Sequence, residues 1–174
     1  MKFASSNTYT VPNSTDPIKT YEDHCLRQPK WNEQLYNKLG SNSKVLKEEV
    51  FEDRLHLEIL VQPRSEAVPV ILKTVLGADA MDFVETTDYN FRTHQGTMST
   101  KLQNSGLIGS STRGAFSLRS ESQGTVTWCT EGEVNCNLWL VGAQVERAVV
   151  NAVRQQNAQI RSYIQEHLNE TSEK

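Results

Sequence analysis

The chain has 174 residues, a formal net charge of -3, 37% hydrophobic residues and 22% charged residues. That length can bury a core without disulfide or metal staples and fits one domain, residues 1–168, followed by a polar tail, 169–174. The acidic balance excludes the basic face of a nucleic-acid binder, and Lys and Arg are scattered rather than clustered as they are on proteins that adhere to anionic membranes.

No stretch approaches the roughly 18 apolar residues of a membrane span. Met1 to Asn7 lacks the apolar run of a signal peptide. Cys25, Cys129 and Cys136 are an odd number without metal-ligand spacing. In one strand, Cys129 and Cys136 would lie roughly 23 Å apart at about 3.3 Å per residue, too far for a disulfide. Reduced thiols in a cytoplasmic protein are expected.

Phe3 to Val11 reads as a first strand and Pro12 to Thr15 as a turn. Asp16-Pro17 then marks a helix start, with a carboxylate at the N-cap and a proline where no N–H is needed. Ile18, Tyr21 and Cys25 share a helical face, Gln28-Pro29 interrupts it, and Trp31, Leu35 and Leu39 resume it up to a Gly40 C-cap. Val45 to Phe51 is extended but highly charged, as suits a strand near an edge. Leu55, Leu57, Ile59 and Val61 alternate with Arg54, His56, Glu58 and Leu60, the pattern of a half-buried antiparallel strand.

Pro63 to Ala67 is a loop, and Pro69 to Leu76 is a short apolar helix ended by Gly77. That helix either packs on the core or forms a flap over a pocket mouth. Met81, Phe83, Glu85, Thr87, Tyr89 and Phe91 share one parity. A turn at His94-Gln95-Gly96 leads to Met98, Thr100 and Leu102. Asn104-Ser105-Gly106 turns the chain again, towards Ile108, Thr112, Phe116 and Leu118. Strands separated by such short turns imply antiparallel hairpins.

The strongest alternation follows the turn at Ser122-Gln123-Gly124. Val126, Trp128, Thr130, Gly132, Val134, Cys136, Leu138 and Leu140 occupy even positions, with Gly132 the expected place for a bulge. Near Val141-Gly142 the period becomes helical, and Val145, Val149, Ala152, Val153, Ile160, Ile164 and Leu168 form a stripe. From Gly142 to Leu168 this helix would run roughly 40 Å at about 1.5 Å per residue.

Strand, two small helices, antiparallel strands and one long C-terminal helix form the α+β order of a helix-grip. The arrangement resembles the START and polyketide-cyclase-like (SRPBCC) superfamily, in which a bent antiparallel sheet wraps the last helix around a cavity. The junction Leu140-Val141-Gly142-Ala143-Gln144-Val145-Glu146 is similar to the valine-glycine-glycine…glutamate junction of an uncharacterised bacterial branch, with Ala143 in place of the second glycine. The resemblance implies binding of apolar or amphipathic small molecules, with cyclisation, dehydration or lipid transfer in some members. It brings no catalytic motif, and fold alone does not choose among these activities.

His24, His56, His94 and His167 have no metal-ligand spacing, so neither a metal nor another cofactor is expected. Ser110-Ser111-Thr112 lacks a nucleophile elbow, and Asn104-Ser105-Gly106 and Gly109 lack the Lys and helix start of a phosphate loop. No catalytic residue is assigned.

Polar residues on the apolar parity are more informative: Glu85, Tyr89, Thr100, Thr112 and Thr130. They suit a lined cavity, unless a slipped register turns them to solvent. Glu85 is the acid/base candidate, since burial would raise its pKa. The expected lining is Leu57, Ile59, Phe83, Met98, Phe116, Trp128, Val149 and Val153, with Glu85, Thr112 and Thr130 as polar members. The leading expectation is a non-enzymatic binder or carrier of an apolar small molecule, with the oligomeric state open. A cyclase or dehydratase using pocket polar groups and a protein-interaction module docking through Val68 to Leu76 are the alternatives.

Overall fold

A computed structural model describes residues 1–76, 82–103, 110–138 and 140–172. The expected features at Gly77, Met81, Asn104-Ser105-Gly106, Ile108, Gly109 and Trp139 lie outside the described residues.

The period-two segments become an antiparallel sheet that has seven strands among the described residues. They are β1 (Lys2–Thr10), β2 (Ser41–Val50), β3 (Arg54–Pro63), β4 (Phe83–Asn90), β5 (Gln95–Leu102), β6 (Ser110–Arg119) and β7 (Thr125–Cys136). Their order is β1-β7-β6-β5-β4-β3-β2, so the first strand closes against the last and the others follow as antiparallel neighbours. The helices are α1 (Pro17–Tyr21), continued by a π-helical turn at Glu22–Leu26, then α2 (Trp31–Lys38), α3 (Val70–Leu76) and α4 (Gly142–Ser172). This is the helix-grip, with α4 packed on β1 and β7.

Local chemistry accounts for the element starts. The Asp16 Oδ1 accepts a hydrogen bond from the Lys19 N–H at 3.0 Å and caps α1. Lys30, with φ 58°, and Gly40, with φ 85°, bracket α2 in left-handed turns. Helix α2 covers the exposed edge of β2. Glu33 Oε2 accepts from the Val45 N–H at 2.9 Å, and Asn37 Oδ1 accepts from the Ser43 N–H at 3.0 Å. Edge donors that could template another strand are thereby satisfied.

Several expectations shift. β2 begins at Ser41, ahead of Val45, because the α2 side chains order its start. The bulge lies in β2, between Val45 and Lys47, and not at Gly132. Gly132 stays in continuous register with both β1 and β6. Its missing side chain serves a close approach instead: a Cβ there would lie 2.7 Å from Phe3 Cζ and 2.8 Å from the Arg113 carbonyl oxygen. The turn between β4 and β5 occupies Phe91 to His94, so Gln95 and Gly96 already belong to β5. His94 adopts the left-handed conformation that this turn demands, with φ 55°.

β7 ends at Cys136, short of the expected Leu140. Leu140 takes φ 70° and points outward, 85% exposed. Gly142 lies so close to β7 that a Cβ would sit 2.7 Å from the Cys136 carbonyl oxygen. Glu146 closes the junction. Its Oε1 accepts from the Cys136 N–H at 3.0 Å, and its Oε2 accepts from the Met1 ammonium at 3.0 Å. The ammonium, and then the Cys136 N–H, hold its carboxyl below the usual range. Ala143 is exposed, which leaves room for a methyl where the resemblance expects glycine.

Helix α4 has 31 residues, about 46 Å at about 1.5 Å per residue. It runs past Leu168 through Asn169 to Ser172, most of the segment expected as a tail. Helical spacing lets Gln165 donate to Asn169 at 3.0 Å and Thr171 donate to the His167 carbonyl at 2.9 Å.

Candidate ligand cavity

The inward parity of each strand can be followed across the sheet by register. One rung runs Ile59, Glu85, Thr100, Thr112, Val134 from β3 to β7. The next runs Leu57, Thr87, Met98, Gly114, Gly132, Phe3, and the one after it Leu55, Tyr89, Gly96, Phe116, Thr130, Ser5. The faces expected from alternation are therefore the faces turned towards α4, and no slip inverts them.

The rungs differ in how they are filled. Phe116 stacks on Tyr89 at 5.5 Å between ring centroids and on Trp128 at 4.3 Å, lying over Gly96, whose Cβ would meet Phe116 Cζ at 2.4 Å. Tyr21 continues the aromatic cluster from Trp128 to Tyr9. Tyr89 donates to Glu22 Oε1 at 2.7 Å, and His94 Nδ1 bonds the same oxygen at 2.8 Å. Glu22 comes from the π-helical turn, so this network ties α1 to the β4–β5 turn. Here the interior is solid.

Beside that cluster lies a partly open cavity of about 470 Å³ bordered by the sheet, α2, α3 and α4. Phe83, Met98, Trp128, Val149 and Val153 line it, with Glu85, Thr112 and Thr130, as the alternation suggested. Thr100 lines it as well. Leu57, Ile59 and Phe116 do not: they face inward, but neighbouring side chains fill the space in front of them and bury them in the core. Tyr89 likewise belongs to the solid core and not to the cavity wall.

Glu85 is the chemical centre of the cavity. Tyr36, from α2, donates its hydroxyl proton to Glu85 Oε2 at 2.6 Å. The accessible surface that Glu85 retains faces the cavity. Burial raises the Glu85 pKa, and the hydrogen bond from Tyr36 opposes that only in part. Burial, and secondarily the nearby Glu85 charge, push the Tyr36 hydroxyl well above its ordinary value. Two more polar pairs border the same space: Asn157 Nδ2 donates to Ser5 Oγ at 3.1 Å, and Trp128 Nε1 donates to Thr130 Oγ1 at 2.8 Å.

The segment around α3 both packs on the core and borders the cavity. Val68 and Leu72 are buried against Val145, and Val68, Pro69 and Leu72 also roof the cavity. Val70 points away, 76% exposed.

The histidines lie elsewhere. His56 sits on the other sheet face between Asp88, at 2.7 Å, and Glu58, at 3.3 Å. His167 Nε2 bonds the His24 carbonyl at 3.0 Å, and its ring packs on Trp31. Among the described residues no group of His, Cys, Asp and Glu is arranged to hold a metal ion. No described helix is long and apolar enough to cross a membrane.

Sequence reasoning missed Tyr36, Ser5, Asn7, Gln156 and Asn157. Ser5 and Asn7 share the parity of Phe3 and Tyr9, and Asn157 falls at helical spacing between Val153 and Ile160 on the α4 stripe. Those signals were present. Tyr36 lies one residue beyond Leu35 and so off the α2 stripe, and nothing local connects it to Glu85.

Comparison with known proteins agrees with the architecture. No curated protein matches the sequence. Among solved structures, the protein TTHA0849 from Thermus thermophilus aligns with a TM-score of 0.62 at 11% identity, covering 99% of each chain. The Zhui aromatase/cyclase from Streptomyces sp. R1128 aligns at 0.60 with 8% identity, over 97% of this chain and 94% of that one. A START superfamily protein from Mycobacterium smegmatis aligns at 0.54 with 10% identity, over 95% and 97% respectively. At such identities the likeness is one of fold. The family model described as "Protein of unknown function (DUF2505)" matches residues 17–168, so the chain belongs to DUF2505, and it shares the helix-grip fold of the START superfamily protein and the aromatase/cyclase.

Proposed function

We propose that this protein binds or carries an amphipathic small molecule, lipid- or polyketide-like in size, between the sheet and α4. One observation carries the reading: the cavity of about 470 Å³ joins an apolar wall to a polar rung, Glu85, Thr100 and Thr112, on three adjacent strands. Apolar side chains would supply the burial energy, roughly 25 cal/mol per Å² of covered apolar surface. The rung and Tyr36 would orient the polar end. Three free cysteines suit a reducing compartment.

Native mass spectrometry of protein purified from cells, followed by extraction of bound species, tests this. The expected result is a small-molecule adduct that disappears on denaturation. A protein that carries nothing, and whose Tm ignores a library of lipids and aromatic compounds, would oppose the reading.

One observation favours a second reading. Glu85 has a raised pKa and a tyrosine donor inside the cavity, a pair suited to proton transfer in a cyclase or dehydratase. Two of the structurally similar proteins are described as aromatase/cyclases. Turnover of a poly-β-ketone mimic by the wild type but not by Glu85→Gln would establish it. Tight binding without turnover would leave the carrier.

A further inference from the structure

The cavity wall has a one-sided charge. Among its described residues Glu85 is the sole charged side chain, and no Lys, Arg or His joins it. Glu85 receives a hydrogen bond from Tyr36 and has no cation of the protein beside it in the cavity. A carboxylate on a largely apolar cavity wall without a countercharge of the protein gains from a cation that a ligand brings.

The surroundings suit such a cation. Register places Thr100 directly opposite Glu85 and Thr112 directly opposite Thr100. Three oxygen-bearing side chains therefore follow one another on strands spaced about 4.8 Å apart. An ammonium has three N–H donors and no acceptor, a match for acceptor oxygens in a row. Phe3, Tyr9, Tyr21, Trp31, Phe83 and Trp128 contribute ring surface to the same wall, and ring faces attract cations. An anionic head group would meet Glu85 with no basic side chain to receive it.

We infer that the cavity selects amphiphiles carrying a protonated amine over the corresponding carboxylates, with the amine seated on Glu85, Thr100 and Thr112. This rests on the cavity being a binding site, as proposed above.

The test uses three probes with one hydrocarbon skeleton: 4-phenylbutylamine, 4-phenylbutanol and 4-phenylbutanoate. Affinity for the intact protein is measured at neutral pH by calorimetry, with the fluorescence of the cavity tryptophans as a second readout. The amine is expected to bind at least tenfold more tightly than the carboxylate, and more tightly than the alcohol. Glu85→Gln should erase the amine's advantage over the alcohol. If that variant fails to fold, the wild-type series decides the matter alone. Carboxylate binding equal to or tighter than amine binding overturns the inference. Equal binding of all three probes also overturns it, yet leaves the cavity reading standing. Binding of none removes both.

Discussion

Glu22 and Glu85 are each held by a tyrosine hydroxyl, at 2.7 Å and 2.6 Å, yet they sit in different kinds of interior. Glu22 is 4% exposed, takes a second bond from His94, and lies against the packed aromatic cluster. Glu85 has Tyr36 and, in front of it, the cavity. The same side chain is a structural tie where protein donors surround it. Where one donor holds it and the rest of it faces a cavity, it keeps acceptor capacity that the protein leaves unused, which the proposed binding would use.

That contrast can be broken most forcefully at the solid end. Phe116→Ala should remove the ring between Tyr89 and Trp128 and destabilise the fold by about 3–5 kcal/mol, measured by denaturant unfolding. If the loss were below about 1 kcal/mol, the aromatic cluster would not be the solid part of the interior.

The two tyrosines sharpen it further. Tyr89→Phe strips a donor from fully enclosed Glu22 and should cost about 1–3 kcal/mol. Tyr36→Phe leaves Glu85 facing a space that admits water or ligand, so its cost should stay under about 1 kcal/mol. Equal losses in thermal unfolding would erase the distinction.

Glu85→Gln should affect the pH dependence more than the stability at any one pH. Burial raises the folded-state pKa of Glu85 above its ordinary value of 4.5, with Tyr36 opposing in part. The folded state therefore holds its proton more firmly than the unfolded state, and this group's contribution to stability declines as pH rises from about 4.5 through the folded pKa. Glu85→Gln, which keeps an oxygen for Tyr36, should abolish that decline. A variant with the wild-type pH profile would show that Glu85 is not buried as described.

The smallest effect belongs to the outer sheet face. The hydrogen bond to Asp88 raises the His56 pKa, desolvation opposes it in part, and the bond to Glu58 adds a smaller push upward. Its contribution is full below an unfolded pKa of about 6.5 and is lost as pH rises through the folded value. Since the group is partly solvated, the loss should be about 0.5 kcal/mol or less, and Asp88→Asn should remove most of it.

Periodicity alone determined much of this protein. Alternation in β7 showed which residues turn inward, the apolar stripe showed which face of α4 meets them, and shared parity grouped Glu85, Thr100, Thr112 and Thr130. These are local properties, because a side chain's direction follows from the backbone repeat. The switch to helical period near Gly142 was legible for the same reason, whereas the contacts of Gly142 and Glu146 with Cys136 appear only in the structure.

Parity does not say what an inward side chain meets. Leu57, Ile59 and Phe116 share the inward faces of Phe83, Met98 and Trp128, yet the first three are packed in solid core and the others border the cavity. That difference depends on how closely α2, α3 and α4 approach each rung. The Tyr36–Glu85 pair, separated by 49 residues, likewise exists only because α2 is laid across the sheet edge. Tertiary packing decided which of the inward residues would fill the core and which would border the cavity.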